Sequence, residues 1–114
     1  MATAEIIILK GKSGIQYTFN VYPANYECPQ EGGIYVYTKR TQHLSVAGNH
    51  SLIYIGITDS FNRRNYEHDG HECINKANPN CICLKREDDE VSRVYIEKDI
   101  LLANNTHCNI QHNS

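Results

Sequence analysis

Apolar and polar positions divide this chain into a series of short elements. Ile6 to Leu9 is an apolar run, and Lys12-Ser13-Gly14 supplies a turn. From Gln16 to Tyr22 the two classes alternate, which puts Tyr17, Phe19 and Val21 on one face. Two such stretches around a turn predict a β-hairpin. Pro23 to Gly32 reads as a loop, with Pro29 and the Gly32-Gly33 pair as breakers. Ile34 to Thr38 and Leu52 to Ile57 are rich in β-branched and aromatic residues, so both read as strands. The segment between them, Gln42 to His50, contains Gly48-Asn49 and predicts that the two strands pair as a long antiparallel hairpin.

The second half of the chain reads differently. Asp59 or Ser60 can cap a helix running to about His68, and Gly70 then breaks it. Asn78-Pro79-Asn80 predicts a turn, and Cys81 to Lys85 a short strand. Glu87, Asp88, Asp89 and Glu90 suit the first turn of a helix, where carboxylates meet the positive end of the dipole. That helix is expected to run to about Ala103, with a polar tail from Asn104. The sum is an α+β fold: a small, mainly antiparallel β-sheet flanked by helices, with an N-terminal β-hairpin over 1–31 and a core over 32–109.

Composition narrows the picture. A chain of 114 residues with 40% apolar content makes one domain with a modest core. The net charge of −2 argues against a broad basic surface for nonspecific duplex binding, because that affinity comes largely from Lys and Arg neutralising phosphates. Cations do pair locally, at Lys10 and Lys12, Lys39 and Arg40, Arg63 and Arg64, and Lys85 and Arg86. The opening MATAEIIILK does not read as a signal peptide, and no stretch has the length and apolarity of a membrane span. The five cysteines, an odd number, are expected to be free thiols in a reducing, cytoplasmic compartment, with no membrane partner.

Several residues could carry chemistry. Tyr35 and Tyr54 stand on the two predicted strands. Read alone, each is an ordinary strand tyrosine with an apolar ring and a wet hydroxyl. Read together, their hydroxyls point into one site, where a nearby cation could lower a phenol pKa enough for it to accept a proton from an attacking water. Arg64 and His68 are four apart on a predicted helix and share a face. Arg64 could hold a phosphate by a forked contact, and His68 could bond the phosphate or the water. Arg63 lies about 100° around the helix and serves as a surface control. Glu97 has Val94, Ile100 and Leu101 around it, the face a helix normally buries. A carboxylate there needs a partner, either Arg93 or a divalent cation. With one carboxylate plus waters and phosphate oxygens, Mg²⁺ or Mn²⁺ fits better than zinc. Asp99 lies about 200° away and is expected to face solvent. His71, Cys73, Cys81, Cys83, His107, Cys108 and His112 raise a zinc alternative. No C-x2-C pair is present, and small buried cysteines are the expected reading.

In this order, these residues resemble the signature of the GIY-YIG nuclease superfamily across nearly all of Gly32 to Asn109. Gly33-Ile34-Tyr35 and Tyr54-Ile55-Gly56 match its two tripeptides. The stretch YIGITDSFNRRNYEH, from Tyr54 to His68, resembles its second block, with an arginine ten residues after the tyrosine and a histidine four later. SRVYIEKDILLANNTHCN, from Ser92 to Asn109, resembles its last block. The resemblance implies a three-stranded antiparallel sheet with helices around it and a one-metal hydrolysis of DNA phosphodiesters. It implies Tyr54 as general base with Tyr35 beside it and Arg64 on the phosphate. His68 would assist, Glu97 would hold Mg²⁺ or Mn²⁺, and Asn109 would be structural or support the site from behind. The chain departs from the pattern in its longer segment between the tripeptides, in Ile57 after YIG, and in the N-terminal hairpin.

Three functions follow as expectations. The first is a divalent-metal-dependent endonuclease acting on DNA rather than RNA, alone or with a protein partner that supplies targeting. The second is a non-catalytic nucleic-acid or protein-binding module on the same fold. The third is a Cys/His metal protein. The oligomeric state stays open, although the hairpin could offer an edge for self-association.

Overall fold

The computed structural model describes residues 5–43, 46–67 and 71–109. Five strands and three helices follow one another: β1 (Glu5–Lys10), β2 (Gln16–Pro23), β3 (Gly33–His43), β4 (Val46–Thr58), α1 (Phe61–Glu67), α2 (Glu72–Ala77), β5 (Cys81–Arg86) and α3 (Glu90–Ala103). The strands form one sheet in the order β1-β2-β5-β3-β4, with every pairing antiparallel. β5 is the joint. It pairs with β3 on one side and with β2 on the other, from Asn20 opposite Leu84 to Pro23 opposite Cys81. The N-terminal hairpin is therefore part of the main sheet, which has two strands more than the resemblance implies.

The sheet curls so far that the start of β1 reaches the β3–β4 hairpin. Arg40 donates to Glu5 at 3.1 Å, and Glu5 lies 3.0 Å from His50 Nε2. The other ring nitrogen of His50 is 2.8 Å from the hydroxyl of buried Thr38. Both partners hold the Glu5 carboxyl below its ordinary range, His50 more than Arg40.

Alternation along the strands gives the sheet two apolar faces. One carries Leu9, Phe19, Ile34, Val36, Ile55 and Cys83 and is covered by Ile96 and Ile100 of α3. The other carries Tyr35, Tyr37, Ile53, Ile82 and Leu84 and is covered by Phe61 of α1, Ile74 of α2 and Cys108 of the C-terminal segment. The loop after β2 folds back, with Tyr26 stacked on Tyr22 at 4.0 Å. Among the described residues, no helix is long and apolar enough to cross a membrane.

Three expectations change. First, β3 and β4 run 11 and 13 residues, so Gly48-Asn49 lies within β4 rather than at the turn, and Thr41 stands opposite Asn49. The outer half of this ribbon is polar, and its ladder bonds leave no mark in an apolar pattern. Second, α2 was not expected. It is six residues long and buries only Ile74, too little to create a helical period. Third, α3 is rotated relative to its expected face. Ile96, Asp99 and Ile100 are buried, Glu97 is half-buried, and Val94 is 43% exposed. The acidic cluster also divides. Asp89 is the N-cap, accepting from Ser92 N at 2.9 Å, and only Glu90 lies in the first turn.

The rotation of α3 follows from the hairpin turn that meets it. The Ser13 amide and hydroxyl donate to Asp99 at 2.9 and 2.6 Å, and the Tyr17 hydroxyl donates at 2.8 Å. Lys12 N also donates to the Asp99 carbonyl at 2.9 Å. Asp99, expected in solvent, is thus a buried carboxylate with its donors supplied by the turn. A side chain at Gly11 would overlap its carboxyl group, so the close approach requires glycine there.

Candidate functional site

The two tyrosines meet because of strand register. Tyr35 stands opposite Gly56, and Tyr37 opposite Tyr54. A Cβ at position 56 would overlap the Tyr35 hydroxyl, so Gly56 is the space across which the Tyr35 phenol lies. That contact links the two tripeptides physically: the tyrosine of the first occupies the room left by the glycine of the second. Gly33 has a similar role at the start of β3, where a side chain would strike the Lys85 carbonyl and the Phe61 ring. The Tyr35 and Tyr54 rings are 6.1 Å apart at 32°, and Tyr37 meets Tyr35 edge-on at 5.7 Å.

Tyr35 is almost wholly buried, and Tyr54 is half-buried. The two phenols are hydrogen-bonded to each other. Burial is the largest cause raising the pKa of each above the usual phenol value. The Glu97 carboxylate raises both further, while the Arg64 guanidinium opposes the rise in both. Arg64 and Glu97 are therefore each within electrostatic reach of both phenols. The expected lowering of a phenol pKa is not found. For Tyr54, desolvation and Glu97 outweigh Arg64.

Arg64 projects from α1 into an exposed position. The helix begins with Ser60, whose hydroxyl accepts from Arg63 N at 3.3 Å in the manner of an N-cap. Arg63 pairs with Asp59 at 2.5 Å, one turn back. Arg93, the protein partner considered for Glu97, donates to the carbonyls of Glu87 and Asp88 at 2.8 and 3.0 Å. It lies against Gly32, where a side chain would displace it, and so ties the β5–α3 loop down. His68 lies outside the described residues.

Asn109 has a defined role. Its amide oxygen accepts from Ile55 N at 2.9 Å, and its amide nitrogen donates to Ile55 O at 3.0 Å. Thr106 donates to the same oxygen at 2.6 Å. Beside this clamp, His107 N and Cys108 N donate to the carbonyls of Leu52 and Ile53 at 3.1 and 2.6 Å. The C-terminal segment thus pairs with the free edge of β4 on both sides of Tyr54 in sequence.

His71 belongs to the site by position, although its sequence context pointed only to the zinc set. Its ring lies 5.1 Å from that of Tyr54 at 59°. It is the N-cap of α2, with Nδ1 accepting from Ile74 N at 3.4 Å. A neutral ring in that arrangement carries its proton on Nε2. The six-residue helix that positions it gave no sequence signal.

The cysteines also depart from expectation. Cys73 on α2 and Cys108 form a disulfide, while Cys28, Cys81 and Cys83 are free and buried. The pairing follows from packing α2 and the C-terminal segment against the same face of β4. Cys81 and Cys83 share a face of β5 as expected, and burial pushes the Cys83 thiol up to about 12. Among the described residues, the one group of three His, Cys, Asp or Glu side chains with converging ligand atoms is Cys73, His107 and Cys108.

Glu97 is the carboxylate whose charge acts on both phenols. It is a half-buried carboxylate facing two phenols and belongs to no cluster of three ligand side chains among the described residues. An ion held there would have one protein carboxylate and take its other oxygens from water and substrate, as Mg²⁺ commonly does.

No family model matches the chain, no curated protein matches it, and no solved structure matches it.

Proposed function

We propose that this protein is a divalent-metal-dependent endonuclease that hydrolyses DNA phosphodiester bonds. The observation that supports the reading is that Arg64 of α1 and Glu97 of α3 both act electrostatically on the paired phenols of Tyr35 and Tyr54, from β3 and β4. These are residues the resemblance to the GIY-YIG superfamily selects, and they lie in three stretches far apart in sequence.

Each side chain has a task suited to its surroundings. The exposed Arg64 guanidinium takes the scissile phosphate by a forked contact and offsets the negative charge that grows in the transition state. Tyr35 is buried and hydrogen-bonded to Tyr54, which holds the Tyr54 hydroxyl beside it. Tyr54 enters the reaction protonated and orients the attacking water or a phosphate oxygen. The His71 ring lies beside Tyr54 and could hydrogen-bond a substrate oxygen. Glu97 would hold Mg²⁺ or Mn²⁺, which supplies acidification of a bound water and neutralisation of charge on both the carboxylate and the phosphate. With Glu97 neutralised, one of the causes that raise the Tyr54 pKa is removed, which brings the phenol closer to work as a base. Asn109 holds the β4 backbone at Ile55, next to Tyr54.

The experiment is a cleavage assay on supercoiled plasmid, single-stranded DNA and a branched junction, with Mg²⁺ or Mn²⁺ and with chelator. Cleavage is expected to need metal and to fall by about a thousandfold or more in Glu97→Ala. Equal cleavage by that variant would reject the assignment. Tight metal-independent binding with uncut product would identify a binding module instead.

A further inference from the structure

We propose that Cys73, Cys108 and His107 form a redox-gated site for a thiophilic divalent cation, zinc foremost, that is closed by the disulfide and opened by its reduction. The inference is independent of the nuclease reading. It rests on three ligand atoms, two sulfurs and one imidazole nitrogen, that all lie within 4.8 Å of one another. Tetrahedral zinc with sulfur at about 2.3 Å and nitrogen at about 2.0 Å places neighbouring ligands roughly 3.4–3.8 Å apart. The cluster needs only the opening of one bond and a small rotation to meet that spacing.

The scaffold keeps the ligands together without the disulfide. Cys73 is on α2, whose ends are fixed by the His71 N-cap and by Asn78, the left-handed C-cap residue. His107 and Cys108 are held on β4 by their backbone bonds to Leu52 and Ile53, and the Asn109 clamp follows at once. Reduction therefore leaves two thiols facing each other across a fixed gap. Access is graded: His107 is exposed, Cys73 half-buried and Cys108 fully buried. A reductant reaches Cys73 first, and an ion enters past His107.

The remaining cysteines do not compete. Cys28, Cys81 and Cys83 are buried and are not among the converging ligand atoms, and burial raises all three thiol pKa values. Two thiolates and one imidazole suit zinc rather than the hard cation expected at Glu97. Three protein ligands leave a fourth position for water, the arrangement of an exchangeable ion rather than a closed structural one.

The chemistry balances. A dithiol reductant gives two electrons and two protons to the Cys73–Cys108 bond and leaves as its own disulfide. The two protein thiols then release their protons to solvent as they bind the ion. Oxidation by a low-molecular-weight disulfide reverses the sequence and expels the ion. Because His71 precedes Cys73 by two residues and Asn109 follows Cys108, this exchange takes place in the wall beside Tyr54.

The test uses the full chain, oxidised or reduced with a dithiol and desalted under anaerobic conditions. Each form is titrated with Zn²⁺ against a chromogenic chelator, and with Co²⁺ to read thiolate-to-metal absorption. The expected result is no uptake when oxidised and one ion per chain when reduced, with loss of two titratable thiols. Cys73→Ser should lose both the disulfide and the ion. His107→Ala, at an exposed position, should keep the disulfide but bind zinc on the order of 100-fold more weakly. Cys81→Ala should change neither. The proposal is overturned if the reduced chain takes up no ion, if the oxidised chain binds equally well, if His107→Ala binds like the wild type, or if the bond resists excess dithiol in the folded protein.

Discussion

Two carboxylates on α3, Asp99 and Glu97, are separated by one residue and have opposite surroundings. Asp99 is 6% exposed and accepts from Ser13 N, the Ser13 hydroxyl and the Tyr17 hydroxyl. These donors, Ser13 first, hold its carboxyl below the usual range. The effect on Tyr17 is reciprocal: burial, and then Asp99, push the phenol up to about 12. Glu97 is half-buried and faces the Tyr35–Tyr54 pair, where its charge raises both phenols. One carboxylate is enclosed by donors from its own chain and fixes the position of the N-terminal hairpin. The other projects its field into a patch that a cation and a phosphate could share. The difference shows how a single helix can be anchored by one acid while the next faces a different environment.

The largest effect that would sharpen this contrast is on catalysis. Arg64→Ala should lower cleavage by about 100- to 1,000-fold, the loss typical of removing one transition-state donor, with an unchanged thermal midpoint. Arg63→Ala, which breaks only an exposed pair with Asp59, should cleave normally.

The next effect is on stability. Asp99→Ala leaves Ser13 and Tyr17 without their acceptor and should lower the midpoint of thermal unfolding by on the order of 10 °C. The pH dependence has a definite sign. The Asp99 pKa is lowered from 3.8, so the unfolded chain binds this proton more readily than the folded one. The stabilisation is full above that value and is lost as pH falls through it towards the lower folded pKa. Denaturant midpoints measured from neutral pH down to about 2 should show a smaller acid loss in Asp99→Ala than in the wild type.

A smaller effect concerns the link between the two tripeptides. Gly56→Ala forces a methyl group against the Tyr35 hydroxyl and should destabilise by about 1–3 kcal/mol, as overpacking does. Tyr35→Ala, which removes the whole ring that the methyl meets, should make the added cost of Gly56→Ala disappear in the double variant. The smallest effect is spectroscopic. In Glu97→Gln the pKa of Tyr54 should fall, because one raising cause is gone, yet remain above the usual phenol value, because burial is the larger cause. Phenolate absorbance, with Tyr54→Phe to assign the component, measures the shift.

Much of this was legible in the sequence, for reasons that explain the rest. Strands with alternating or continuous apolar residues were found, because burial imposes those patterns. The polar half of the β3–β4 ribbon and the six-residue α2 were not, because neither buries a periodic face. Tyr35 and Tyr54 are neighbours through strand register, and the charges of Arg64 and Glu97 reach both. Asn109 supports the site through the backbone of Ile55, a role its side-chain chemistry permits but spacing cannot specify. Asp99 was misread for a tertiary reason. Helical geometry correctly separates it from Glu97, but the donors that bury it come from a turn 86 residues away. His71 and the Cys73–Cys108 bond depend on how α2 and the chain end pack against β4, which no local pattern encodes.

The most direct measurement crosses the two acids. Wild type, Glu97→Gln and Asp99→Asn would be compared for metal-dependent DNA cleavage at a temperature where all three remain folded, alongside their thermal midpoints. The account predicts that Glu97→Gln loses cleavage and keeps its midpoint, while Asp99→Asn keeps cleavage and loses stability. Cleavage that survives in Glu97→Gln, or that disappears in a folded Asp99→Asn, would contradict the division of roles along α3.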